Sequence, residues 1–238
     1  MTGTKRGLPV LFAAVLLLSN AAFLMAEEKG KNQSKAGMFI KYKPPLMGKP
    51  GGRVGGGTRG TGAADLFLAA IVPDHTGMTS KSKPTLCWYI SRPTNIRIEI
   101  TVDDGKSIKP VLETKVGSLA GDGMNCLNLS QFDINLQPGA EYQWFVAIIP
   151  DPEQRSKDFV SGGFIVFMEP PKSLADKLSK AKGVDVSKAY AEDGFWYDAV
   201  GSLSELIRNN PEEKGYQALR LDLLEQAGLS EVVRQYKN

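Results

Sequence analysis

The stretch from 136 to 148 limits what this chain can fold into more than any other. It reads Leu-Gln-Pro-Gly-Ala-Glu-Tyr-Gln-Trp-Phe-Val-Ala-Ile. Pro138 and Gly139 mark a turn. Tyr142, Trp144, Val146 and Ile148 then alternate with Gln143, Phe145 and Ala147, which is the period of a β-strand. A tyrosine just after such a turn has the placement of the tyrosine corner of Greek-key sandwiches, where its hydroxyl caps the backbone of the preceding crossover. This feature speaks to fold and hardly at all to chemistry.

Other segments carry the same period. Ile96, Ile98, Ile100 and Val102 alternate with Arg97, Glu99 and Thr101, and Asp103-Asp104-Gly105 then makes a tight turn. With residues 66–72, 85–90, 111–116, 126–129, 141–149 and 159–168 they form a set of about seven short strands between Gly, Pro, Asp and Asn turns, the pattern of a two-sheet sandwich. Pro170-Pro171 closes the β region. Ala175, Leu178 and Ala181 share one side of a short helix, further helices begin near Val184 and Phe195, and residues 219–227 supply another. Tyr190, Gly194, Trp196, Ala199, Leu203, Leu206 and Pro211 reproduce the spacing of a tetratricopeptide repeat, with Gly228 and Val233 one repeat length after Gly194 and Ala199. Barely more than one repeat is present, and one repeat cannot bury its own face. The expectation is therefore α+β: an immunoglobulin/fibronectin-III-like antiparallel sandwich over 65–169, then a small helical hairpin region over 170–238 with one tetratricopeptide-like repeat.

The N-terminus reads as an export signal over 1–26. Lys5 and Arg6 precede a nearly apolar run from 8 to 18, and Ala21, Ala22 and Ala26 offer small residues to a peptidase, with the cut expected near Ala26. The rival reading is a retained anchor, although the run is short for a membrane span of about 20 residues. Lys5 and Arg6 leave with the signal, so 27 of the 29 basic residues remain against 26 acidic ones. No basic surplus of the kind that binds nucleic acid is left. In an exported chain Cys87 and Cys126 are candidates for a disulfide, which would stabilise by about 3–4 kcal/mol in the chain-entropy model. The alternative is two free thiols at half-buried strand positions. Both cysteines fall on the outer face of their strands by parity.

Residues 27–64 form an arm rich in Gly, Pro and Lys, with too little apolar content to offset its ordering entropy, so little regular structure is expected before Ala64. Its run Gly55-Gly56-Gly57-Thr58-Arg59-Gly60 lacks the GxxxxGK[ST] pattern of a phosphate loop. Two readings stay open: a cradle for an anion built on Thr58 and Arg59, or an arm lying close against the sandwich.

The chain has one histidine. His75 has neither the neighbouring ligands of a metal site nor a Gly-x-Ser-x-Gly elbow, and it reads as a solvated loop imidazole beside Asp74. The loop Asp151-Pro152-Glu153-Gln154-Arg155-Ser156-Lys157-Asp158 joins two strands at an end of the sandwich, where binding surfaces collect. Its acids could be imagined as a glycosidase pair, but mixed charges in a hairpin loop usually serve solvation and turn chemistry. Trp196 is expected in the core and Tyr197 on the surface.

With these segments placed, the chain from about Gly55 onward resembles a bacterial exported family catalogued as domain of unknown function 928. The carrying residues are 55–60, Ala70, Val72-Pro73, Pro84, Trp88-Tyr89, 142–145, Asp151-Pro152, Arg155-Ser156 and 191–206 around Trp196-Tyr197-Asp198-Ala199. The resemblance implies an envelope or secreted location and no assigned reaction. The resulting expectation is a non-enzymatic binding or scaffolding protein of the cell envelope, periplasmic or secreted, without a cofactor. Its partner would be another envelope protein or a peptide, with membrane contact only through an uncleaved signal. An envelope hydrolase or carbohydrate-binding accessory protein using acidic loop residues is the alternative. The expected binding edge is Thr58, Arg59, Asp151, Arg155 and Asp158, with Arg59 docking on Asp151 and Asp158.

Overall fold

Alternation along the strands decides which side chains are enclosed. In β6 (Arg97–Asp103) Ile98, Ile100 and Val102 are buried, as are Tyr142, Trp144, Val146 and Ile148 of β9 (Glu141–Ile149). The computed structural model describes residues 39–45, 52–55, 57–58, 66–117 and 123–237, and of Gly57 and Thr58 the backbone alone. The body considered below is Ile40–Asn238.

The larger sheet runs β1 (Arg53–Gly55), β10 (Phe159–Phe167), β9, β6, β7 (Leu112–Val116), with β4 (Gly77–Thr79) also on β10. The smaller runs β2 (Gly57–Thr58), β3 (Phe67–Ala70), β5 (Thr85–Ile90), β8 (Gly123–Asn128). All pairings are antiparallel except β4 with β10, which is parallel and departs from the purely antiparallel expectation. β10 shares one edge between two partners: Gly163, Gly162 and Ser161 pair with β1, and Ile165, Val166 and Phe167 with β4. The Ser161 hydroxyl, fully buried, accepts from the Ala70 N–H at 2.9 Å and ties one sheet to the other.

Cys87 and Cys126 are partners in register on β5 and β8 and are joined in a disulfide closing a 39-residue separation. Cys87 is buried beneath the bond and Cys126 is exposed.

The arm differs from its expectation. β1 and β2 are both regular structure before Ala64, so the strands of the two sheets start at Arg53 rather than at 65. The reason is close packing, which glycine alone allows. A Cβ on Gly52 would stand 2.2 Å from the His75 carbonyl oxygen. One on Gly55, at φ +64°, would stand 2.2 Å from that of Val160. Composition alone reads such glycines as flexibility, whereas here they are what lets the arm reach the sheet edge.

Five helices follow: α1 (Lys172–Leu178), α2 (Val184–Glu192), α3 (Trp196–Asn209), α4 (Lys214–Gln226) and α5 (Ser230–Lys237). The expectation of one hairpin falls short, because α4 and α5 form a second helical pair. Both pairs turn on a glycine with positive φ, Gly194 at +84° and Gly228 at +73°. In both, the next N–H reaches back to the preceding helix: Phe195 to Tyr190 O at 2.9 Å and Leu229 to Leu224 O at 3.0 Å. This is the Schellman closure of a helix end.

Candidate functional site

Register gathers several connections at one end of the sandwich. Arg97 lies opposite Ile149, Phe159 opposite Ile148, Gly55 opposite Ser161, Val116 opposite Ile98 and Gly123 opposite Ile90. The ends of β1, β5, β7 and β9 and the starts of β6, β8 and β10 therefore share this loop end. Asp151, Arg155 and Asp158 are all here. Thr58 pairs with Phe67 at the same end through its backbone, and Arg59 lies outside the described residues.

At the loop end four charged groups alternate in sign. Arg155 Nε donates to Asp158 Oδ2 at 2.6 Å, and its Nη2 donates to Glu99 Oε2 at 3.0 Å. Arg97 donates to the other oxygen of Glu99. Hydrogen bonding to Asp158, then the charges of Asp158 and Glu99, hold the half-exposed Arg155 guanidinium firmly protonated. Asp158 Oδ1 and Arg97 Nε, both buried, have no hydrogen-bond partner among the described residues. Asp151 is occupied locally: Oδ1 accepts from the Glu153 N–H at 3.0 Å and Oδ2 from the Gln154 side chain at 2.6 Å. The described partners of Asp151 and Asp158 thus come from their own loop, where docking by Arg59 was expected.

Glu99, 4% exposed, is the member that sequence reasoning missed. A polar residue in an alternating strand reads as solvent-facing, and its burial follows from the two arginines that close over it. The pair Arg97-x-Glu99 beside an Arg-bearing loop was the signal available.

A second cluster joins the helices to the sandwich. The Trp196 indole donates to Ile71 O at 3.0 Å. The Tyr197 hydroxyl accepts from the Trp144 indole at 2.8 Å and donates to Phe164 O at 3.0 Å. Asp198 accepts from the Ser80 N–H at 2.6 Å, with Lys81 Nζ 3.8 Å away. Burial pushes the Asp198 carboxyl above its usual range, against the Ser80 and Lys81 interactions that lower it. Tyr197 is 2% exposed, contrary to the surface position expected of it. The start of α3 is enclosed on several sides, so five consecutive residues, Trp196 to Val200, are buried where a one-sided helix would bury one or two.

His75 is a further correction. It does lie beside Asp74, with Nδ1 3.0 Å from Asp74 Oδ1, but its side chain is only 15% exposed. Its Nε2 meets the Tyr42 hydroxyl at 2.8 Å, and the two rings stack. Both ring nitrogens are engaged, one by the Asp74 carboxylate and the other by the Tyr42 hydroxyl. The Tyr42 hydroxyl is pushed well above its usual pKa, by burial first and by Asp74 second. No group of three or more metal-ligating side chains occurs among the described residues. At the sequence feature considered first, the Gln137 N–H donates to the Tyr142 hydroxyl at 3.1 Å, closing the turn onto the strand.

Fold and site together define a class: a two-sheet sandwich locked to a set of helices through buried aromatic side chains, with a charged cluster at one end. Within that class the chain belongs to the family described as Domain of Unknown Function (DUF928), whose model matches residues 54–236. No curated protein matches it.

Proposed function

We propose that this is an exported binding or scaffolding protein of the cell envelope that recognises a partner protein or peptide at the loop end of its sandwich. The observation carrying this reading is the Arg97–Glu99–Arg155–Asp158 cluster, with Asp158 Oδ1 buried and without a hydrogen-bond partner among the described residues. A buried acceptor without a donor is costly, and a ligand N–H or cation reaching it as Arg155 swings aside would recover that cost. Asp151 adds a stiff loop, since its carboxylate is used up in holding the turn.

Strand order supports the finer fold assignment. β3-β5-β8 facing β7-β6-β9-β10 is the division of an immunoglobulin/fibronectin-III-like sandwich, and in such sandwiches these connections serve as binding loops. Equal glycine turns 34 residues apart support a tetratricopeptide-like reading of α2 to α5. The basic-then-apolar N-terminus supports export with a cut near Ala26. No helix among the described residues is long and apolar enough to cross a membrane.

The test is capture from envelope extract with the wild-type chain and with Arg155→Ala/Asp158→Ala. Proteins retained by wild type and lost by the double variant, with the melting temperature of the variant kept, are the expected result. Identical capture by both chains would reject the loop end as the binding surface.

A further inference from the structure

Residues 40–45 lie extended across the helices, and they are held as a bound peptide is held. Ile40 and Tyr42 are buried while Lys41 and Lys43 are exposed, the alternation of a strand laid on a surface. No described strand pairs with this segment; one side-chain amide does. Gln226 Nε2 donates to Ile40 O at 2.8 Å, and Gln226 Oε1 accepts from the Tyr42 N–H at 2.9 Å. Asp222 steadies that amide, accepting from Nε2 at 3.1 Å. The Lys43 N–H donates to Ala191 O at 3.0 Å. Between these clamps Tyr42 fills a pocket of its own, stacked on His75, edge-on to Trp196 at 5.0 Å, with its hydroxyl on His75 Nε2.

The family domain supplies every group of this groove, since His75, Ala191, Trp196, Asp222 and Gln226 fall inside residues 54–236 and the occupant falls outside them. We infer that the groove is a receptor site for an extended basic peptide carrying an apolar residue, any residue, then tyrosine, which the chain's own residues 40–45 fill in cis, and that a partner protein's segment of this pattern exchanges with it. Main-chain clamping by an amide gives affinity without sequence preference. The tyrosine pocket gives the preference, because a phenylalanine would leave His75 Nε2 without its partner. Lys41 and Lys43, exposed on either side of Tyr42, keep their charges in solvent while the alternate residues are enclosed. This site is separate from the loop end, so either can fail alone.

The probe is a fluorescein-labelled synthetic peptide of residues 39–45, titrated into three full-length chains: wild type, Ile40→Asp/Tyr42→Ala, and that double variant with Gln226→Ala added. A tethered occupant competes at roughly millimolar effective concentration or above. The double variant should therefore bind the peptide at least about 10-fold more tightly than wild type. Adding Gln226→Ala should remove most of that gain, and a peptide with phenylalanine for tyrosine should bind about 10-fold more weakly. Equal affinity for wild type and double variant overturns the inference, as does no binding to a folded double variant. A double variant that cannot fold makes the segment part of the core and also overturns it. Wild-type dimers formed by exchanging residues 40–45 would assign the groove to a second copy and overturn the partner assignment.

Discussion

Three hydroxyls and carboxyls carry more of this fold than their chemistry suggests. Tyr142→Phe removes the acceptor of the Gln137 N–H and should cost about 1–3 kcal/mol, read from the urea midpoint; an unchanged midpoint would remove the tyrosine-corner account. Tyr197→Phe takes away an acceptor and a donor at once, leaving the buried Trp144 indole N–H and Phe164 O unmet, so its cost should be at least as large. Asp198 makes a pH prediction. A carboxyl with a raised folded pKa holds its proton more tightly when folded. Its contribution to stability is full below about pH 3.9, the unfolded value, and is lost as pH rises through the folded one. Wild type should therefore lose stability relative to Asp198→Asn as pH rises from about 4 to 7, measured by melting temperature. Parallel curves would show that the Asp198 proton makes no difference to stability.

At the scale of elements, much was legible and the gaps have physical causes. β5 and β9 follow from sequence to the residue, because β-branched and aromatic residues crowd both segments between clear turns. β1, β2 and β4 were not legible. They are two or three residues long and rich in glycine, and they exist because β3 and β10 offer edges to pair with. α5 was missed because Ser-Glu-Val-Val-Arg-Gln-Tyr-Lys is mostly polar and buries only Val232 and Val233. Of the loop-end site, the charged stretch 151–158 was visible and Glu99 was not, since its burial depends on Arg155 from another part of the chain as well as on neighbouring Arg97. The Arg97-x-Glu99 spacing is a local hint, but the approach of Arg155 has no local signature. The disulfide belongs to this scale too. Cys87→Ser/Cys126→Ser should lower stability by about 3–4 kcal/mol in the chain-entropy model, and an unchanged urea midpoint would contradict that weight.

For the whole molecule, the aromatic motifs form a joint between sandwich and helices. Trp196, Tyr197 and Asp198 each reach a different part of the sandwich, at Ile71, at Trp144 with Phe164, and at Ser80. Arg53 reaches the other way, donating from β1 to Ala227 O and Gly228 O at the end of α4, both at 3.0 Å. Sandwich and helices so joined should unfold together. Equilibrium urea unfolding of the full chain, followed in parallel by tryptophan fluorescence and by helical circular dichroism, tests this most directly. One transition with coincident midpoints is expected in wild type, with both midpoints falling together in Tyr197→Phe. A helical signal lost at lower urea than the tryptophan signal, or a Tyr197→Phe chain that shifts only one of the two, would contradict it.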